Sequence, residues 1–128
     1  MPFAGAPLGM GVDLVDMERF RQVLQRRPSM SERVFTPGER EYAGSLADPV
    51  PSLAARFAAK EAVMKAMGVG LGAFAFHEVE VRRLPSGQPE LVLSGAAVRL
   101  AAERAVGSWL VSLTHTATAA AAVVLALS

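Results

Sequence analysis

"RFAAKEAVMKAMGVG", residues 56–70, decides how the rest of the chain is read. It reads as a helix running into a glycine loop. Its start falls at Pro51 or Ser52, and Gly68 ends it as the residue after the cap. At about 100° per residue, Leu53, Phe57 and Met64 form one bulky apolar stripe. Ala55, Ala58, Ala59, Ala62 and Ala66 form a broad face of small residues. Glu61 and Lys65 lie on one border between these surfaces. Arg56 and Lys60 lie on the other, flanking Met67. A broad polar face is missing, so the Glu61 and Lys65 pair is expected to be partly enclosed.

Working outward, "MGVDLVDM" (residues 10–17) is an apolar run that reads as a strand, with Asp13 as its odd member. Asp16 suits the N-cap of a helix that Met17, Phe20, Val23 and Leu24 carry to Arg27, where Pro28 stops it. "TPGE" (36–39) is a capping box with proline at the first helical position, opening a helix to about Leu46. "FHEVEVRRL", "PSGQP" and "ELVLS" read as strand, turn and strand. Ser94 caps a further helix through about Val106, closed by Gly107. "WLVSLTHTATAAAAVVLAL" supplies two strands around a turn near His115 and Thr116. The order βαααββαββ predicts an α+β fold, an antiparallel sheet packed with the long central helix. One domain is expected over residues 1–128, with residues 1–9 a loose leader.

The chain has 128 residues, enough to bury a core without staples. It has no cysteine, which excludes disulfides, thiolate zinc sites and cysteine nucleophiles. Its net charge of +1 does not announce a nucleic-acid partner. The opening residues lack the basic start of a signal peptide, and the apolar C-terminal run is too short to span a bilayer as a helix. A cytoplasmic protein without membrane association is expected. A mean hydropathy of +0.31 points to some apolar surface covered by sister subunits. Residues 18–41 hold six arginines, among them Arg19, Arg26 and Arg27, which fit either an acidic partner or a solvated face.

The charged residues admit two readings each. Asp13 in an apolar strand is costly unless paired or bound to a cation, and otherwise belongs at an exposed position or in a structural salt bridge. Glu61 and Lys65 form either a surface pair worth about 0.3–0.5 kcal/mol or a carboxylate on a metal beside an ammonium on a phosphate oxygen. Arg56 and Lys60 are either solvated bases with packed stems or neighbours of an anion. "GVGLG" has neither Walker nor Rossmann spacing. It is a cap and mobile loop, or a flexible wall over a ligand. His115 between Thr114 and Thr116 is an exposed turn residue or a phosphate donor. His77 and Trp109 read as structural. Taken together, two carboxylates without histidine or cysteine neighbours suit Mg²⁺, and lysine, arginine, histidine and threonine suit a polyphosphate. Unaided, the residues reach as far as Mg²⁺-assisted chemistry on a phosphate ester or anhydride.

"GVDLVDMERF", "RFAAKEAVMKAMGVG" and "VSLTHTATAAAAVVL", in this order and at this chain length, resemble the holo-acyl-carrier-protein synthases, the small 4′-phosphopantetheinyl transferases. The resemblance covers about residues 9–127, and F-x-x-K-E-A-x-x-K-A is its most specific motif. "FTPGERE" from residue 35 matches as well. The resemblance implies the 4′-phosphopantetheinyl transferase fold. It also implies transfer of phosphopantetheine from coenzyme A to a serine of an apo acyl carrier protein, releasing adenosine 3′,5′-bisphosphate. It assigns Asp13 and Glu61 to Mg²⁺ and Lys65 to the leaving phosphate. Arg56, His115 and Thr116 would bind the nucleotide end of coenzyme A, with Gly68, Gly70 and Gly72 letting the loop approach. Arg19 matches a position that meets the carrier, with Arg26 and Arg27 in the same patch. It implies a homotrimer with active sites between subunits, where Asp13 and Glu61 need not come from one chain. The acceptor of the serine proton stays open between a water on the metal and one of the carboxylates. Two departures stand out: the long leader, and Asp48, Pro49 and Pro51 in "LADPVPSL", which would alter the mouth of the site.

Two other functions compete. A non-catalytic module binding an acidic protein or a phosphate ligand would need the arginines but gains little from a buried acid. A Mg²⁺-dependent phosphohydrolase would need the carboxylates but no basic docking helix.

Overall fold

The computed structural model describes residues 5–128. Its elements run β1 (Pro7–Asp16), α1 (Met17–Arg26), α2 (Ser29–Val34), α3 (Pro37–Gly44), α4 (Val50–Ala66), β2 (Val79–Arg83), β3 (Pro89–Leu93), α5 (Gly95–Glu103), β4 (Ser108–His115) and β5 (Ala119–Leu127). Strands β1, β5 and β4 form an antiparallel sheet in that order, and β2 and β3 form a separate hairpin. The expected α+β class and antiparallel pairing hold, although the strands divide into two sheets rather than one.

Helix α4 lies across the three-stranded sheet, and small residues set how close it comes. Ala54, Ala58, Ala59 and Ala62 are fully buried, as are Ala120, Ala122 and Ala126 on β5. A Cβ at Gly11 would stand 1.8 Å from the Ala62 carbonyl oxygen, and one at Gly9 would stand 2.0 Å from that of Ala66. Backbone therefore meets backbone, and the alanine enrichment is a packing device. Side chains alternate along β1. Gly11, Asp13 and Val15 are buried, whereas Leu8, Met10, Val12 and Leu14 are exposed. This alternation puts Asp13 on the sheet's inner side, which carries α4.

The leader is shorter than expected. Residues 7–9 already belong to β1, with Pro7 opposite Leu127 and Gly9 opposite Ala126, because the glycine lets the strand continue under α4. Residues 1–4 of that leader lie outside the described residues. Asp16 caps α1, accepting from the Arg19 N–H at 2.9 Å. Both bonds of the Thr36–Glu39 capping box are present. Helix α2 was not expected, since six residues are too few to display helical periodicity. The strand expected from Phe76 begins at Val79. Phe76–Glu78 form a 3-10 turn, and the Glu78 carboxylate accepts from the Ala75 and Ala96 N–H groups at 2.8 and 2.6 Å. Helix α5 ends at Glu103 instead of Val106, where Ala105 takes a φ of 60°.

Candidate active site

The alternation of β1 and the spacing of α4 bring Asp13, Glu61 and Lys65 together within one chain. Asp13 is buried. Lys65 Nζ donates to the Val12 carbonyl at 2.9 Å and to Asp13 Oδ1 at 3.1 Å. One turn earlier on α4, the Glu61 carboxyl is held above its ordinary range. Burial is the main cause, followed by the charge of Asp13 and a hydrogen bond with it, while Lys65 pulls the other way. These two acids and Arg19, Phe20 and Phe57 line a cleft of about 450 Å³ between β1, α1 and α4.

The donor set fits a hard divalent cation. It offers only oxygen, and it crowds two carboxylates whose repulsion a cation would relieve. Among the described residues no cluster of three or more acidic, histidine or cysteine side chains could cage a metal. An ion here would draw its other ligands from water and phosphate, as Mg²⁺ does.

A second group of predicted residues lies elsewhere. Arg56 and Glu61 are five positions apart on α4, so their side chains diverge by about 140°. Arg56, Ser52, Thr114 and His115 line another hollow, of about 370 Å³, which shares no residue with the carboxylate cleft. Arg56 is buried, donates to Ser52 Oγ at 2.6 Å, and among the described residues finds no partner for its Nε. Desolvation pulls its pKa below the usual arginine range. His115 closes β4 and is exposed. Thr116 spends its hydroxyl on the turn, accepting from the Thr118 and Ala119 N–H groups at 3.3 and 3.2 Å.

The loop glycines are exposed or open. Gly68 ends α4 at φ 70°, with the Val69 N–H bonded back to the Met64 carbonyl at 3.0 Å. Gly72 also has a positive φ, 95°, and a Cβ at Gly70 would meet nothing within 4 Å. Arg19, Arg26 and Arg27 are all exposed along α1 and its cap, and Arg19 is the one that reaches the carboxylate cleft. Asp48, from the loop before α4, lines the Arg56 hollow and holds Arg21 of α1 in two hydrogen bonds of 3.2 and 2.8 Å.

Lys60 is not a solvated base. Its side chain is fully buried against Glu39. Tyr42, which lines the Arg56 hollow, was also missed, because a lone tyrosine on a short helix carries no spacing signal.

Residues 9–124 match the family model of the 4′-phosphopantetheinyl transferase superfamily. The chain is 45% identical over 118 residues to a holo-[acyl-carrier-protein] synthase from Moorella thermoacetica, covering 92% of each. It superposes on the crystal structure of the Neisseria meningitidis holo-[acyl-carrier-protein] synthase with a TM-score of 0.88 at 29% identity, covering 96% of this chain and 100% of that one. For the Helicobacter pylori synthase in complex with coenzyme A the TM-score is 0.81 at 30% identity, covering 93% and 99%.

Proposed function

The chain belongs to the 4′-phosphopantetheinyl transferase superfamily and is an enzyme of its holo-[acyl-carrier-protein] synthase group, and on that premise we propose a Mg²⁺-dependent transfer from coenzyme A to an apo acyl carrier protein. The observation that carries the reading is the meeting of Asp13 and Glu61 in one cleft whose wall includes Arg19 of α1, with Lys65 paired to Asp13 at 3.1 Å.

The carrier's serine oxygen bonds to the phosphorus on the pantetheine side of the pyrophosphate, and its proton passes to a cleft carboxylate or to water. The bond from that phosphorus to the bridging oxygen breaks, and adenosine 3′,5′-bisphosphate leaves. Lys65, fixed by the Val12 carbonyl and Asp13, presents an ammonium to the charge that grows on the bridging oxygen. Asp13 and Glu61 would hold Mg²⁺, which when bound neutralises pyrophosphate charge. Arg56 and His115, with the Gly68–Gly72 loop, bind the nucleotide end. Arg19, Arg26 and Arg27 meet the acidic carrier, and Arg19 sets its serine beside the cleft.

A homotrimer is part of this reading. Met10, Val12 and Leu14 are each more than half exposed on the outer face of β1, an apolar row that suits burial against a second copy. A neighbouring copy would also bring an Arg56 hollow to the carboxylate cleft, which one chain keeps apart.

The test is the intact mass of an apo acyl carrier protein after incubation with this protein, coenzyme A and Mg²⁺. A gain of one phosphopantetheine, abolished by chelating the metal, is the expected result. A folded sample that modifies none of several carriers would overturn the reading.

A further inference from the structure

Two guanidiniums lie over one aromatic ring. Arg56 Cζ is 4.8 Å and Arg83 Cζ 5.8 Å from the centroid of Tyr42. Arg56 is the unusual member, since it is only 6% exposed and, among the described residues, pairs with no carboxylate within 4 Å. A desolvated guanidinium with one neutral hydrogen bond and another cation nearby would leave its place unless something else attracts it. The charge of Glu39 attracts it from beyond ion-pair distance, and the face of Tyr42 supplies the direct contact.

Tyr42 and Arg56 also occupy a shared wall. Both line the 370 Å³ hollow with His115, and both line a neighbouring 290 Å³ hollow with Arg82 and Arg83. The ring therefore decides how the Arg56 donors stand towards an anion entering either side. Among the described residues its hydroxyl makes no hydrogen bond, so the ring face is the working part.

We infer that Tyr42 is a positioning residue for coenzyme A, holding Arg56 so that its guanidinium stays aimed at the anionic nucleotide end. This rests on the proposed assignment of Arg56 to coenzyme A. The effect is on binding, through Arg56, and involves no contact with the reacting phosphorus.

The experiment measures binding of adenosine 3′,5′-bisphosphate by calorimetry, and KM for coenzyme A and for carrier protein, in wild type and variants. Tyr42→Leu is expected to weaken bisphosphate binding and raise KM for coenzyme A about fivefold, with KM for carrier unmoved. Tyr42→Phe, which keeps the ring face, stays within about twofold of wild type. Adding Tyr42→Leu to Arg56→Gln produces no further loss, because the two act as one unit. Wild-type binding by Tyr42→Leu, or an equal loss in Tyr42→Phe, overturns the inference. So does a full Tyr42→Leu effect in the Arg56→Gln background. If Tyr42→Leu does not fold, Tyr42→Met carries the same comparisons. A wild-type protein that transfers nothing overturns the proposed function itself. An active wild type whose Arg56→Gln variant binds bisphosphate normally overturns only the Arg56 assignment and the Tyr42 role built on it.

Discussion

Lys60 Nζ stands 2.7 Å from Glu39 Oε1, with both side chains fully out of solvent. Lys60 also donates to the carbonyls of Phe76 at 3.2 Å and Val79 at 2.5 Å. Glu39 accepts from the N–H groups of Thr36 at 3.0 Å and Val81 at 2.9 Å. One ion pair thus ties α3, α4 and the β2 hairpin together, with nearly every donor and acceptor satisfied. Removing one partner strands the other as a buried charge. Lys60→Met is expected to lower unfolding free energy in urea by about 3 kcal/mol. A loss below about 1 kcal/mol would show that the pair contributes little as a unit.

Glu61, the proposed metal ligand, links stability to pH. Its carboxyl is held above the ordinary value of 4.5, so the folded state favours the protonated form. That contribution is complete below pH 4.5 and is lost as the pH rises through the folded value. A cation binds the ionised form, so stabilisation by Mg²⁺ should grow over the same rise. Thermal unfolding with and without Mg²⁺ is expected to show a larger gain in Tm near about pH 7.5 than near about pH 5. Glu61→Gln should keep the fold, lose that gain, and turn over more slowly at limiting Mg²⁺. A variant with wild-type rate at limiting Mg²⁺ would remove Glu61 from the metal site.

Arg19 is exposed on α1 and reaches the carboxylate cleft. Arg19→Glu is expected to raise KM for the carrier protein about tenfold or more, through lost attraction and added repulsion, and to leave KM for coenzyme A nearly unchanged. Steady-state kinetics with each substrate varied in turn will check this. Equal changes in both constants would argue against docking. The same variant separates a transferase from a phosphohydrolase, which needs no basic helix.

Gly11 admits no side chain. A Cβ there would fall 1.8 Å from the Ala62 carbonyl oxygen, a backbone atom of the buried helix that cannot swing aside. Gly11→Ala should cost about 1–3 kcal/mol or more in urea unfolding and disturb the cleft through Asp13, two residues along β1. A variant as stable as wild type would mean that α4 can lift from the sheet at little cost.

Periodicity made α4, α1 and the two terminal strands legible, because each is long enough to repeat its pattern. The capping box of α3 was legible from four residues. Helix α2 and the turn at Phe76–Glu78 were not. One is too short for a period, and the other is pinned by a bond that the Glu78 carboxylate accepts from the N–H of Ala96, which is distant in sequence. The family motifs pointed to Asp13, Glu61 and Lys65, and the fold brings these three together in one chain.

What the sequence by itself determined was the set of chemical groups, the α+β class and the central helix. All of these follow from local spacing and residue type. Which groups meet was decided by the tertiary structure. Lys60 and Arg56 both lie on one border of the same helix, four residues apart. Packing gave Lys60 a carboxylate from α3 and left Arg56 facing a hollow beside Tyr42. A helix sequence sets the angle at which a side chain leaves the axis. Only the neighbours packed against that angle decide whether its charge is neutralised or held ready for a ligand.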